Sequence, residues 1–302
     1  MTLKEYFLKT NKLIIYKFYA QFFAKPLKYD NITRKEMYHQ IINLYKKNPL
    51  IIINLCSMEE ISILKSIISE NNIRHTGYIE YLCYQNLLNN FLLMEDKKEL
   101  FIPTDIINYI KMALNLFDEL TYSNQDIEIS ALIGLSRIYN CLPVNDLIPI
   151  LAKYHITINN LKDYINKNII LKKRVEIVKY QKEDYFISKE YLYYKDIIKL
   201  QNHNQSYFLY TLEEVISFGK YKINLFCPEI LEYLSFLEIH LEDKYIEALL
   251  HDLIIYMGFD LNNIVILNKI TDNIKELLEE TNKVLPYFPI WVLKGHNLIN
   301  KI

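Results

Sequence analysis

His251 and Asp252 form an adjacent pair of the kind that metal-dependent hydrolases use to hold a metal ion. A metal site needs several converging ligands, and His203, His240 or Asp272 would have to supply the others. His251 falls inside an apolar stripe with helical spacing, which favours a structural role for this side chain. A metal-dependent hydrolase is therefore the third alternative only, and we expect neither a metal ion nor a cofactor.

Other motifs that support bond-making chemistry are missing from the sequence. It has no glycine-rich phosphate loop, no H-E-x-x-H, no G-x-S-x-G and no paired Cys/His metal spacing. Its 4 cysteines show no C-x-x-C spacing, which is typical of buried, reduced thiols in a cytoplasmic protein. We predict that the chain is not an enzyme and has no catalytic residue.

Charge is distributed unevenly along the chain, although the formal net charge is only −1. Residues 1–50 carry a formal charge of +7 and residues 160–200 carry +4, whereas residues 227–260 carry −7. Such separation can steer charged partners toward one part of a protein. Most charge runs are solvated helix faces, so the separation is compatible with binding without requiring it.

Basic side chains and one tyrosine cluster near the predicted helix starts and turns of the two basic segments. Their cations can neutralise phosphates, and the tyrosine ring can stack on a base or a sugar. Two of the cations open a helix, where positive charge opposes the macrodipole, so their presence hints at a use for the charge. The predicted nucleic-acid-binding residues are Arg34, Lys35, Lys167, Lys172, Lys173, Arg174, Lys179, Tyr180 and Lys182. The first hypothesis is a non-enzymatic nucleic-acid-binding or regulatory protein, with DNA or RNA as its partner.

The acidic segment supports a second hypothesis of a different class. The near-neutral total charge is unfavourable for a nucleic-acid binder, because such domains tend to be strongly basic. Glu238, Glu242 and Asp243 would instead dock a basic protein partner. The chain would then be a protein-binding adaptor or an inhibitor of the kind that phages and mobile elements encode. Oligomeric state is left open by the sequence.

The stretch from Ser57 to Leu120 predicts the type of unit that the rest of the chain repeats. Ser57 and Glu60 have the spacing of a helix capping box, and apolar residues with helical spacing follow. Residues 91–94 and 99–102 flank a polar turn and predict a β-hairpin, after which Pro103 opens another helix. The order of helix, turn, helix, hairpin and helix is winged-helix-like.

A similar order recurs downstream. Asn145-Asp146 and Thr157 predict the caps of two helices. Residues 175–178 and 185–187 then predict two strands, which a turn at residues 181–184 joins. The second winged-helix-like segment would carry most of the predicted basic surface on its wing and just before it.

A fainter third copy is predicted in the C-terminal region. It would begin with the capping box of Thr211 and Glu214, form a strand over residues 221–226 and restart a helix at Pro228. Trp291, the only tryptophan, is expected to pack the C-terminal tail onto the body.

Composition favours a mainly α fold with small β-hairpin wings. The chain has 302 residues, 51% of them hydrophobic. It has only 5 Gly and 8 Pro, too few of these turn-forming residues for the many tight turns of a β-sandwich. No apolar run is long enough for a membrane span, and the N-terminus lacks a signal-peptide core. The predicted organisation is a helical module at 1–56, winged-helix-like segments at 57–120 and 121–200, and a helical region at 201–302.

One stretch resembles a known module. Thr33-Arg34-Lys35-Glu36-Met37 follows a helix and a short loop and opens a second helix. This resembles the small N-terminal helical module of transcription termination factor Rho and its SAP-like relatives, in which a basic residue, Glu and an apolar residue begin the second helix.

The rest of the chain resembles proteins of Gram-positive, Firmicutes-like bacteria that carry such a module ahead of winged-helix-like segments. Residues 134–139 and 291–296 are the stretches most similar to them. Those relatives often end in a SEC-C metal-binding tail, but the SEC-C cysteines are absent here, so its metal site is not carried over. The resemblance implies an architecture more than an activity.

Overall fold

The computed structural model describes the chain except Ala24, residues 71–76, 97–98, Leu192, 202–205, 259–273 and 300–302. The chain divides into two compact units. The first comprises residues 1–126 and 167–173, and the second comprises residues 127–166 and 174–302.

The first unit is built from helices and one short hairpin. Strand β1 (Met94–Asp96) pairs with β2 (Glu99–Phe101) in antiparallel register, with Met94 opposite Phe101. Its helices are α1 (Leu3–Lys9), α2 (Lys12–Ala20), α3 (Arg34–Lys47), α4 (Met58–Glu70), α5 (Tyr78–Asn89) and α6 (Ile107–Leu116). The next helix, α7 (Glu119–Tyr139), crosses the division between the units.

A single hydrophobic core holds the first unit together. Phe91 is one of its buried residues, with its ring centroid 5.1 Å from that of Phe7 and 4.8 Å from that of Phe18. The Tyr122 hydroxyl donates to the carbonyl oxygens of Ile53 and Cys56, so this buried polar group is satisfied. Residues 1–56 and 57–120, predicted as separate segments, both contribute to this core.

Local capping signals set where several helices begin. In each capping box a Ser or Thr hydroxyl accepts from the backbone N–H three residues on, and a Glu carboxylate accepts from the cap's own N–H. These boxes open α1, α3, α4 and the later helix α12 (Leu212–Tyr221). The boxes predicted at Ser57 and Thr211 are confirmed, and Thr2 and Thr33 form two more.

The second unit contains a three-stranded antiparallel sheet among helices. Its strands are β3 (Cys141–Pro143), β4 (Val175–Tyr180) and β5 (Glu183–Ser188), in the order β3-β5-β4. Its helices are part of α7, then α8 (Val144–Lys153), α9 (Leu161–Lys167), α11 (Tyr194–Leu200), α12 (Leu212–Tyr221), α13 (Pro228–His240), α14 (Asp243–Gly258) and α15 (Ile274–Val284). Helix α10 (Ile169–Arg174) lies between α9 and β4.

The chain order from α7 to β5 is that of a winged helix. A helix and a short strand precede a helix-turn-helix pair, and a hairpin follows whose second strand pairs with the short first strand. The prediction of a mainly α fold with small hairpin wings is confirmed.

Three details of the predicted elements are corrected. Helix α8 begins directly after Pro143, without a side-chain cap from Asn145 or Asp146. Asn160 rather than Thr157 caps α9, because its amide oxygen accepts from the backbone N–H of Asp163. Residues 221–226 form no strand, because α12 runs to Tyr221 and a left-handed residue, Lys222, ends it.

Within the described residues, no helix combines the length and the apolar character that crossing a membrane requires.

Helices α7 and α12 approach each other at two glycines. A Cβ atom added to Gly134 would lie 1.9 Å from the carbonyl oxygen of Val215, and one added to Gly219 would lie 1.9 Å from that of Ser130. Backbone atoms cannot move aside as a flexible side chain can. The crossing therefore requires glycine at both positions.

We expect Gly134→Ala and Gly219→Ala each to lower the free energy of unfolding by about 1–3 kcal/mol, the usual cost of overpacking. In an exposed helix the same change would stabilise by up to about 1 kcal/mol. Urea unfolding followed by the fluorescence of Trp291 reports on the second unit, since Trp291 is the only tryptophan and is buried there. Ser235→Ala, at an exposed position of α13 in the same unit, is the control, and stabilisation by either glycine variant would contradict the crossing.

Candidate nucleic-acid interface

The wing of the second unit is a tight two-residue hairpin. In its register Tyr180 lies opposite Glu183 and Lys179 lies opposite Asp184, so only Gln181 and Lys182 form the loop. The strands extend further toward the tip than predicted, and the predicted four-residue turn is corrected to two residues. Tyr180 packs edge-on against Tyr185, with ring centroids 6.2 Å apart.

Both loop residues have left-handed backbones. Gln181 has φ of 46° and Lys182 has φ of 74°, the combination that a type I′ hairpin turn requires. Asn and Gly favour these positions, whereas a residue with a long side chain is strained there by about 1–2 kcal/mol. Strain of this kind is often retained at binding sites. The turn therefore places the Lys182 side chain at the wing tip at a cost in stability.

The wing carries charges of both signs. Lys179 and Lys182 are exposed, but Asp184 is also exposed and lies directly opposite Lys179. The two acids and two lysines of residues 179–184 balance formally. A phosphate contact at the wing would therefore rest on the positions of the lysines and not on a strong local field.

Helix α9 occupies the place of the second helix in the helix-turn-helix pair. Leu161 and Ile165 are buried, while Lys162 and Asn166, one turn apart, are exposed on the opposite side. The Tyr164 hydroxyl donates to the Glu128 carboxylate at 2.6 Å, which anchors α9 to α7. Lys162 and Asn166 are not among the predicted residues, because they become candidates only once the helix-turn-helix order is known.

Arg174 belongs to a buried ion cluster at the base of the wing. The Arg137 guanidinium donates to both carboxylate oxygens of Glu190 at 2.7 and 2.8 Å, and to the carbonyl oxygens of Phe218 and Gly219 at 2.7 Å each. Arg174 also donates to Glu190. Both arginines thus have partners within the protein. The ion pair with Glu190 explains the positive charge of Arg174 without a nucleic-acid contact.

The charges in this cluster are strongly coupled. Burial alone would raise the pKa of the Glu190 carboxyl, but Arg137 and then Arg174 outweigh burial and hold this pKa well below its usual value. Burial and then the charge of Arg137 lower the pKa of Lys222, whose ammonium pairs with Glu247 at 2.7 Å. Glu190 is therefore ionised in the folded protein at neutral pH.

The remaining basic residues of the predicted surface belong to the first unit. In the segment 167–173, Lys167 is exposed and Lys172 is half-buried. Lys173 donates at 2.5 Å to the amide oxygen of buried Asn90, whose own amide group donates to the carbonyl of Leu55. Lys173 therefore satisfies a buried polar side chain.

Arg34 and Lys35 differ in their surroundings. The Arg34 guanidinium donates to the carbonyl of Thr10 at 3.0 Å and ties the start of α3 to the end of α1. This contact gives a structural reason for a cation at the first turn of α3. Lys35 is exposed. Of the predicted residues, Lys179, Tyr180 and Lys182 lie on the wing of the second unit and Arg174 lies at its base, whereas the others belong to the first unit.

The side chain of His251 makes an aromatic packing contact. Its ring is stacked on Tyr191, with centroids 5.4 Å apart and an interplanar angle of 24°. Burial, and then the charge of Lys222, lower the pKa of the imidazole. Among the described side chains, no group of three or more His, Cys, Asp and Glu could hold a metal ion. His203 and Asp272, two of the ligands considered above, lie outside the described residues.

The predicted acidic residues lie around the junction of α13 and α14. Glu238 is exposed on α13, and the Glu242 carboxylate pairs with Lys244 at 2.6 Å. Asp243 is half-buried at the first turn of α14, where negative charge suits the helix dipole.

No protein-family model, curated protein or solved structure matches the chain. The resemblance to the N-terminal module of Rho and to SEC-C-tailed proteins stays a prediction.

We expect Glu190→Gln to lower the free energy of unfolding of the second unit by about 3–5 kcal/mol, because it leaves the buried Arg137 without its counter-charge. Glu176→Gln, which removes an exposed acid from β4, should change it by less than about 0.5 kcal/mol. The depressed pKa of Glu190 makes its contribution complete above the unfolded pKa of about 4.3. The stability difference between the wild type and Glu190→Gln should therefore shrink as the pH falls below that value.

Urea unfolding followed by Trp291 fluorescence between neutral pH and pH 3 measures this difference. A difference that stays constant across this range would show that Glu190 does not stabilise the unit through its charge.

Proposed function

We propose that the chain is a non-enzymatic, nucleic-acid-binding regulatory protein whose winged helix contacts duplex DNA. The observation that carries the proposal is the wing tip, where a strained two-residue turn holds Lys182 beside exposed Lys179. The usual reason to retain such a turn is a use for the side chain that it displays.

The shape of the site favours DNA over double-stranded RNA. The second helix of a helix-turn-helix pair enters the major groove of B-form DNA, and α9 offers Lys162 and Asn166 on its exposed side. The major groove of A-form RNA is too deep and narrow for side chains to read. The wing lysines would contact the phosphate backbone and fix the orientation of the protein on the duplex.

The structure indicates which cations a test should change. Changing Lys172, Lys173 and Arg174 to glutamate would break the hydrogen bond to Asn90 and the ion pair with Glu190. A loss of DNA binding in that variant could then result from unfolding and not from a lost DNA contact. Lys179 and Lys182 avoid both problems, because they are exposed on the wing.

We expect Lys179→Glu/Lys182→Glu to weaken DNA binding and to reduce the slope of log affinity against log salt concentration by roughly 2, because two phosphate contacts are lost. Fluorescence anisotropy with a short labelled duplex measures both quantities. The control Lys46→Glu/Lys111→Glu makes the same change in net charge on exposed residues of α3 and α6 and should bind as the wild type does. Equal weakening in both variants would remove the wing from the proposal.

A second variant separates binding from folding. Lys182→Gly relieves the left-handed strain and should stabilise the second unit by about 1 kcal/mol, yet it removes one cation and should weaken DNA binding. If the protein becomes more stable and DNA affinity is unchanged, then Lys182 has no role in binding.

One observation favours a protein-binding adaptor or inhibitor as a second candidate function. Helix α13 exposes apolar side chains next to its acids, and Ile239 is 78% exposed. Large exposed apolar residues beside charges are typical of protein-contact surfaces. Because Glu242 and Asp243 lie at the start of α14, where reversal of charge would destabilise the helix, Glu232 and Glu238 on α13 are the better residues to change.

A further inference from the structure

Consecutive helices of the first unit expose apolar residues next to lysines. Leu8 is 59% exposed and Ile14 is 54% exposed, and Leu13 is also exposed. Lys9 and Lys17 are exposed nearby in the chain, with Lys17 one turn after Leu13 and Ile14 on α2. We call Leu8, Lys9, Leu13, Ile14 and Lys17 the basic apolar face.

Helix α13 of the second unit has a surface of the same kind with the opposite charge. Leu231 is 42% exposed and Ile239 is 78% exposed. Glu232, Ser235 and Glu238 are exposed between them, and all five positions share one side of α13 at helical spacing. We call these five residues the acidic apolar face.

The two faces are complementary in charge, and each combines apolar and charged side chains. Exposed apolar clusters with a charged rim mark interaction sites, and opposite charges steer their encounter. Both faces belong to one polypeptide and are therefore always present in equal amounts. We propose that the basic apolar face of one molecule binds the acidic apolar face of a second copy of this chain. This deepens the second candidate function, on which it rests, by naming the partner of the acidic helices.

The geometry of such a contact has a consequence for assembly. The two faces are different surfaces, so the contact is heterologous and leaves one face of each kind unoccupied at the ends of a pair. Assembly then continues beyond a dimer or closes into a ring. Each face comprises five residues, fewer than the roughly 20–30 residues per side of a standard interface, so association should be weak and require a protein concentration on the order of micromolar or above.

The test is sedimentation velocity at rising protein concentration, in low salt and without nucleic acid. The wild type should grow past the dimer, and added salt should reverse this growth by screening the charges. The variants Lys9→Glu/Lys17→Glu and Glu232→Lys/Glu238→Lys should each stay monomeric alone. Mixed together, they should form one-to-one pairs that do not grow, because each variant retains one working face.

Controls separate this proposal from loss of fold and from DNA binding. Lys46→Glu/Lys111→Glu and the wing variant Lys179→Glu/Lys182→Glu should associate as the wild type does, and circular dichroism should show every variant folded. The wing variant can therefore lose DNA binding and still self-associate, and the variants of the two faces can lose self-association and still bind DNA.

Three results would overturn the proposal. The first is a wild type that is monomeric at every concentration. The second is a mixture of the two variants that stays monomeric, and the third is either variant associating with itself as the wild type does. If the basic apolar face instead binds DNA or anionic vesicles, with no self-association, its partner would be a different one.

Discussion

The second unit depends on the hydrogen bonds that the buried guanidinium of Arg137 makes. Arg137 is only 4% exposed, and its guanidinium joins α7 to the last turn of α12 by donating to the carbonyl oxygens of Phe218 and Gly219. Its bidentate pair with Glu190 links the same point to the segment after β5. Because Arg174 directly precedes β4 and also binds Glu190, both ends of the wing hairpin are tied to one carboxylate. The position of the wing therefore depends on this cluster.

Such a cluster contributes to a unique arrangement more than to stability. Removing the Glu190 carboxylate and the Arg137 guanidinium from water is costly, and apolar side chains of similar size often replace buried ion pairs without loss. An apolar base, however, would accept several orientations of a short hairpin. The planar fork of Arg137 and the two oxygens of Glu190 fit in one geometry only. The close crossing of α7 and α12 at Gly134 and Gly219 adds a second fixed constraint on the same helix.

The sequence predicts features whose causes are local in the chain. A capping box needs residues three positions apart, so Thr33 with Glu36 could be recognised directly, and the hairpin wings follow from strand patterns around polar turns. Arg137 could not be assigned in this way, because its partners lie 53 and 81 residues further on. For the same reason Arg174 resembled a phosphate ligand, since a run of basic residues looks the same whether its partner is a phosphate or a distant glutamate.

The division between structural and exposed cations defines what the wing can do. Arg174 at its base is neutralised within the fold, whereas Lys179 and Lys182 near its tip are exposed. The base is held by charge-assisted hydrogen bonds and the tip by a left-handed turn that Gln181 and Lys182 adopt at a cost. A hairpin that is fixed at its base moves little as a whole, so a ligand that binds the tip need not order it first. On the proposal of DNA binding, the left-handed turn fixes the backbone from which the Lys182 side chain extends, and this would reduce the entropic cost of a contact with phosphate.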